Sequence, residues 1–430
     1  MIFSGLETEA FKKILEQQHP TFPRCCWATT FKERVIRMQI ACRTASITLF
    51  TLLTAGSCAA SPGIWLPPVA LQDGFHIAGT IDTGFRFQHA FGVNKFSMMP
   101  SGDETSAVNF RARETLTGNN YVRMKLAMPY KPDTGEMSQR AQNILFNEAF
   151  VGIGGDWGEV VMGRLPNIFS GNGDFGLCPQ INPSSMGTNF WNSSLAPIFS
   201  SGYNFSNSIL FNSTRVGGFH TAVQYSNGRN GDENPRGETD QLINVSVTYI
   251  GGPWKFAVIA GYYDNDSFAL NGVKPNAEKN IAVMGSYWPG NGWSFHAAYQ
   301  YVRDGRALGG SYYNYFTPVA AGGLGIARSE RGVDAHAGII GVGKKIGNQK
   351  ISAVIMGNHV KYMGESKVVG SRDGYRVSPA AIYRYYFSRR THLWAAASTT
   401  YGNGIYKAAR NSSLDPAKTV DFGAGLVHKF

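Results

Sequence analysis

The chain has 430 residues, of which 16% are charged and 13% aromatic, with 51 glycines and a formal net charge of +11. Ordinary soluble domains carry roughly 25% charged residues, and at their usual glycine content a chain this long would hold roughly 30. No run of 18 or more apolar residues is present, so a bundle of membrane helices is excluded. The low charge fraction comes with abundant apolar residues, which argues against a disordered chain and for a β-rich protein with many tight turns.

The first sixty residues read as lying outside the fold. From Met38, Arg43 supplies a positive charge, Ser46–Gly56 (SITLFTLLTAG) a short apolar stretch, and Ser57–Ala60 small residues suited to cleavage. Residues 38–60 therefore read as a signal peptide, and residues 1–37 as an upstream extension before the biological start. Cys58 leaves a lipoprotein reading open, against which Ala55 counts, because a larger apolar residue is expected there. Residues 1–60 hold seven Lys/Arg, four Asp/Glu and four of the five cysteines. The remaining chain, 61–430, keeps 33 basic and 25 acidic residues, net +8, and Cys178 alone. It has no intrachain disulfide and no cysteine-based metal cluster.

From Phe75 onward apolar and polar residues alternate. FHIAGTIDTGFRF puts Phe75, Ile77, Ile81, Phe85 and Phe87 on one face and His76, Thr80, Asp82 and Arg86 on the other, the pattern of a two-faced strand. The alternation recurs at 106–114, 121–129, 145–153, 158–164, 203–212, 218–226, 240–250, 254–263, 279–288, 293–302, 332–343, 349–361, 375–387, 391–401 and 418–430, giving sixteen segments. Short turns alternate with long Gly/Asn/Ser-rich loops, of which 165–202 and 303–331 are the longest. That rhythm suits a closed antiparallel barrel better than a soluble sandwich. The polar faces carry Arg111, Arg113, Arg123, Lys125, Lys255 and Arg384, and unpaired charges buried in a protein core would cost several kcal/mol each. Facing them into an aqueous lumen, with Phe, Val, Leu and Tyr toward lipid, removes the conflict. Tyr249, Trp254, Tyr262, Trp288, Trp293, Tyr301 and Tyr385 then stand at strand ends as aromatic girdles.

FNEAFVGIGGDWGEVVMGR (146–164), IDTGF (81–85), SAVNFRARETL (106–116), NSILFNS (207–213), YYFSRRTHLWA (385–395) and LVHKF (426–430) follow one another in an order that resembles the general diffusion porins of Gram-negative bacteria, of the neisserial and β-proteobacterial type. The resemblance implies an all-β fold: a sixteen-stranded outer-membrane barrel with short periplasmic turns, long extracellular loops and an inward-folded third loop. It further implies a homotrimer that passes small hydrophilic solutes and ions passively, needs no cofactor, and meets outer-membrane lipid and lipopolysaccharide. Phe430, with His428 and Leu426 behind it, is similar to the family's signal to the barrel-assembly machinery. The trimer contacts are expected on the first strands and the 129–143 segment.

In that family the loop after the fifth strand narrows the pore against a ladder of basic residues. Here it is 165–202, with Asp174 its one acidic residue. Arg111, Arg123 and Arg164 fall on positions the family keeps basic, and Arg113 and Lys125 share their faces. Ala107, Asn147 and Asn204 replace three further basic positions. Arg111, Arg113, Arg123, Lys125, Arg164, Asp174, Asp82 and Arg86 are the expected pore lining, with Glu114 nearby. Their surplus of positive charge predicts a weak anion preference, unless the arginines pair with acidic residues and leave little field. Phe169, Phe175, Phe190, Trp191 and Phe199 in the same loop support two readings: an apolar slide for a selected solute, or anchors that pin the loop to the wall.

Other strings carry less. Gly338–Lys344 imitates a phosphate-binding loop, but Lys345 stands where a Ser or Thr is needed, and the string lies within an alternating segment. No metal-binding histidine spacing occurs, and no Lys/Arg run with interleaved aromatics suggests nucleic acid. A barrel-anchored enzyme would need a nucleophile beside a base, for which His220 with Ser246 or Ser208 is the candidate. An adhesin, its barrel serving only as an anchor, is the remaining alternative.

Overall fold

The computed structural model describes residues 72–137, 145–169, 174–176, 204–228, 240–264, 275–305, 331–364, 371–408 and 418–430. The extension, the signal segment, Phe190, Trp191 and Phe199 lie outside them. The strands are β1 (Gly74–Ala90), β2 (Val93–Pro100), β3 (Ala107–Thr115), β4 (Tyr121–Pro129), β5 (Glu148–Gly155), β6 (Gly158–Pro166), β7 (Asn204–Ser213), β8 (Phe219–Asn227) and β9 (Gln241–Gly251). They continue as β10 (Trp254–Asp264), β11 (Glu278–Tyr287), β12 (Trp293–Gly305), β13 (Val333–Ile346), β14 (Gln349–Tyr362), β15 (Asp373–Tyr386), β16 (Thr391–Gly402) and β17 (Lys418–Lys429). A four-residue helix, α1 (Ile405–Ala408), follows β16. Every neighbour pairs antiparallel, and β17 returns to β1 from Thr80↔Lys429 to Ala90↔Thr419, so the sheet closes.

Seventeen segments make sixteen positions around the wall. Both β2 and β3 pair with β1, β2 from Thr83↔Pro100 to Ala90↔Val93 and β3 from Gly74↔Arg113 to Thr80↔Ala107. Together they are one barrel strand, broken where residues 101–106 leave the wall opposite Ile81 and Asp82. The alternation placed that strand at 106–114 and did not include β2, because a tight turn at Phe91–Gly92 replaces the expected long first loop. Gly338–Lys344 lies inside β13, as its alternation indicates.

The excursion is held by one carboxylate. Asp82 Oδ2 accepts the backbone N–H groups of Asp103 and Glu104, both at 2.6 Å, and Oδ1 accepts the Trp394 indole N–H at 2.9 Å. Trp394, on β16, thus reaches past β17 to β1. Its ring lies where side chains at Gly102 and Gly425 would otherwise stand. At the short-turn end, Gly79 and Phe430 exchange backbone hydrogen bonds at 3.0 Å, and the Phe430 ring covers Gly79. The chain therefore ends paired rather than frayed.

Side chains alternate across the wall. On β10, Trp254, Phe256, Val258 and Tyr262 are exposed while Ala257, Ile259 and Tyr263 are buried. Outward aromatics form a belt near the short turns: Trp157 stacks on Phe211, and Phe219, Tyr249, Phe256, Trp254, Tyr287, Phe295 and Trp293 follow one another around the wall. From Trp293 to Tyr301, β12 runs roughly 27 Å at ~3.4 Å per residue, which at a tilt of ~40° is about 21 Å of height, most of the apolar band of an outer membrane. Trp288 does not join this girdle. Its indole N–H donates to Ser286 at 3.0 Å and its ring meets His296 edge-on, both on the inner face. It stands past the end of β11 in the turn, where alternation no longer fixes the side.

Gly102→Ala pushes a methyl into the Trp394 ring and should cost about 1–3 kcal/mol. The measurement is the temperature at which the folded, heat-modifiable band disappears from a gel, which should fall relative to wild type.

Candidate functional site

Strands β3 to β6 and the loop after β6 assemble the site. Antiparallel pairing puts Arg111 opposite Lys125 and Arg113 opposite Arg123, an arrangement of like charges that is unfavourable without counter-charge. The loop after β6 supplies it. Asn167 turns the loop into the barrel by accepting Asn244 Nδ2–H at 3.1 Å and the N–H of Phe169 at 3.0 Å. Gln224 accepts the N–H of Ile168 and donates to the carbonyl of Pro166. Farther on, Asp174 reaches the opposite end of this stretch of wall. It accepts Lys125 Nζ at 2.7 Å, Arg111 at 3.1 Å and Arg123 at 3.2 Å.

The cluster is nearly neutral. Arg123 also makes a two-pronged contact with Glu159 at 2.8 and 3.0 Å, and Lys125 contacts Glu148 at 2.9 Å. Three cations thus face three carboxylates, Asp174, Glu148 and Glu159. Burial alone would raise the Asp174 carboxyl, but Lys125, Arg111 and Arg123 outweigh it and hold it below the ordinary carboxylate range. Phe175 packs on Phe150 with centroids 5.5 Å apart, and the Arg123 guanidinium lies 5.1 and 5.2 Å from these two rings. Phe169 and Phe175 are 1% and 4% exposed. Both serve as anchors that hold the loop to the wall, so neither forms an accessible apolar slide.

The other expected lining residues lie apart. Arg113 turns to the short-turn rim, where it contacts Asp73 at 2.7 Å and lies over Tyr121. Glu114 pairs in register with outward-facing Val122, away from the inner face. Arg86 grips Asp421 through two 2.6 Å contacts beside the β1–β17 seam. Arg164 sits at the irregularity between Gly163 and Leu165 and donates to Ser206 at 2.9 Å. Asp82 is committed to the 101–106 excursion.

Sequence reasoning missed Glu148, Glu159 and Asp103 as partners of these cations. Asp103 accepts Arg384 Nε at 2.7 Å and the ring of His392 at 2.9 Å. Burial would raise its carboxyl, yet Arg384 and His392 hold it below the ordinary range. The alternation puts Glu148 and Glu159 on polar faces, the one signal that could have flagged them. His220 and Ser246 do not meet: the Ser246 hydroxyl and His220 Nδ1 are each without a hydrogen-bond partner, and Ser208 donates to the Tyr225 carbonyl.

A carboxylate held low keeps its ion pairs until the pH falls through that lowered value. The Asp174 contacts should therefore survive acidification from pH 7 to about 4, where free carboxylates begin to protonate. The conductance ratio of wild type to Asp174→Asn should then be the same at pH 7 and at about pH 4, and a ratio that closes as the pH falls through about 5 would contradict this.

A sequence profile described as Gram-negative porin matches residues 44–408. No curated protein sequence matches the chain. Among solved structures, an anion-selective porin from Comamonas acidovorans is 17% identical with a TM-score of 0.62, covering 84% of this chain and 100% of its own. The outer-membrane channel DcaP of Acinetobacter baumannii is 10% identical, TM-score 0.57, with 83% and 97% covered. Salmonella typhi OmpF, in complex with daunomycin, is 14% identical, TM-score 0.54, with the same coverage. These likenesses show the sixteen-stranded porin barrel. The profile spans most of the sequence and shows the lineage: the chain belongs to the Gram-negative porin family and is an outer-membrane diffusion channel.

Proposed function

We propose that the channel passes small hydrophilic solutes with a weak anion preference, and that Asp174 with Arg111, Arg123 and Lys125 forms its constriction. The observation that carries this is the loop's single described carboxylate bound by three cations from two strands. Fixed charges on strands beside a loop give the pore a narrow polar passage. Pairing with Glu148 and Glu159 leaves little surplus there, so the preference is weak rather than strong. Arg113, Arg164, Arg86 and Asp82 belong to the surrounding lining and its supports. Basic excess in residues 61–430 and the likeness to an anion-selective porin favour the same sign.

The reading extends to assembly. Residues 1–37 precede the biological start, residues 38–60 direct export and are removed, and residues 61–430 form the mature barrel. Phe430, His428 and Leu426 present the terminal strand to the barrel-assembly machinery. Three copies associate through the outer faces of the first strands. There, Phe75, Ile77, Phe85, Phe96 and Met98 are exposed, and Phe85 stacks on Phe96. Lipid and lipopolysaccharide cover the rest.

In a salt gradient across a planar bilayer, the reversal potential should show a modest anion bias, with steps grouped in threes. Asp174→Asn removes one of three carboxylates, and the anion-to-cation permeability ratio should rise about two- to threefold. Clear cation selectivity of the wild type would reject the reading.

A further inference from the structure

A second group of cations lies on the inner wall, away from the constriction. Lys345 is directly opposite Lys350 across the β13–β14 pair, and Lys350 is directly opposite Arg384 across β14–β15. Alternation puts all three on the inner face: Lys345 follows buried Gly341 and Gly343, Lys350 precedes buried Ser352 and Val354, and Arg384 is itself buried. Directly opposed residues on a sheet stand about 5 Å apart, and like charges so placed repel. A fourth cation joins through Trp288, whose ring centroid is 5.6 Å from Lys350 Nζ and 5.7 Å from Lys255 Nζ. Among the described ion pairs of Lys345, Lys350 and Arg384, one carboxylate takes part, Asp103, and it is held by Arg384 and His392.

At the constriction, by contrast, three cations meet three carboxylates. Lys345, Lys350 and Arg384 form one row across three strands at the short-turn end, and the one carboxylate in their described ion pairs, Asp103, is taken up by Arg384 and His392, so the row leaves a net positive field inside the barrel. From this arrangement we infer that the inner wall at the short-turn mouth binds small multivalent oxyanions, with Lys345 and Lys350 as ligands and Trp288 beside Lys350. Two lysines already lie near the indole ring, so the site recognises charge and not an aromatic group. A divalent anion bridges two opposed ammonium groups, which a chloride ion cannot do as well. Transit of such solutes then includes a bound step near the periplasmic side.

The inference deepens the anion reading above and is tested separately from it. Protein purified from outer membranes is placed in a planar bilayer at constant chloride, and inorganic phosphate is added on one side. Chloride current should fall along a saturating curve. Lys350→Gln should raise the half-blocking phosphate concentration about tenfold. Lys345→Gln, at an exposed strand end where folding is indifferent to it, should act in the same direction. Lys131→Gln, which removes an equal charge from a distant loop, should leave the curve unchanged. A current that changes only in proportion to phosphate overturns the site, as does an equal shift in all three variants. If wild type shows saturation without an anion-biased reversal potential, the site stands and the anion preference of the channel fails.

Discussion

Lipid offers no hydrogen bonds, so each backbone N–H and C=O facing it must be paired within the chain, at a cost of several kcal/mol for each one left open. Closure of β1 on β17 meets that demand, and everything else in this porin depends on it. The reinforcement concentrates at the same seam. Phe430 extends the pairing to the last residue, Arg86 and Gln88 share Asp421 across it, and Trp394 passes over β17 to the Asp82 carboxylate. The break in the second strand sits beside the seam as well. Its excursion sends Asp103 across the inner face to β15 and β16, tying strands that the hydrogen-bond ladder alone would not join.

The inner wall distributes its charge unevenly. Around the loop, cations and carboxylates are matched, which orders the loop and quiets the field. Ion pairs of this kind add little net stability, because desolvation offsets much of the attraction. Their effect is positional: the loop is bound to the wall at Asn167 and again at Asp174. At the short-turn end the described ion pairs of Lys345, Lys350 and Arg384 include one carboxylate, Asp103, so positive charge is in excess there.

Much of this was legible in the sequence. A period of two is a property of the strand alone, and it marked sixteen wall positions because lipid and lumen impose opposite demands on successive residues. Phe110, Val108 and their neighbours face out, and Arg111 and Arg123 face in, as the pattern required. The interruption at 101–106 was not legible, since alternation says which side a residue faces but not which strand it pairs with. Nor were the partners of the basic ladder. Glu148 lies 23 residues from Lys125 in sequence and Asp174 lies 63 from Arg111, and only the closed wall brings them together. Trp288 shows the same limit in a turn, where the backbone departs from the pleat and a side chain can cross to the other face.

The indole of Trp394 touches elements from both ends of the chain. Before the first and last strands meet, neither the Asp82 acceptor nor the glycine-lined bed beside β17 exists for it. Its burial therefore belongs to the final step of folding, and the emission of that one fluorophore should shift when the cylinder shuts, not when the individual hairpins form. A tryptophan placed for structural reasons thus doubles as an optical clock for the last event in assembly.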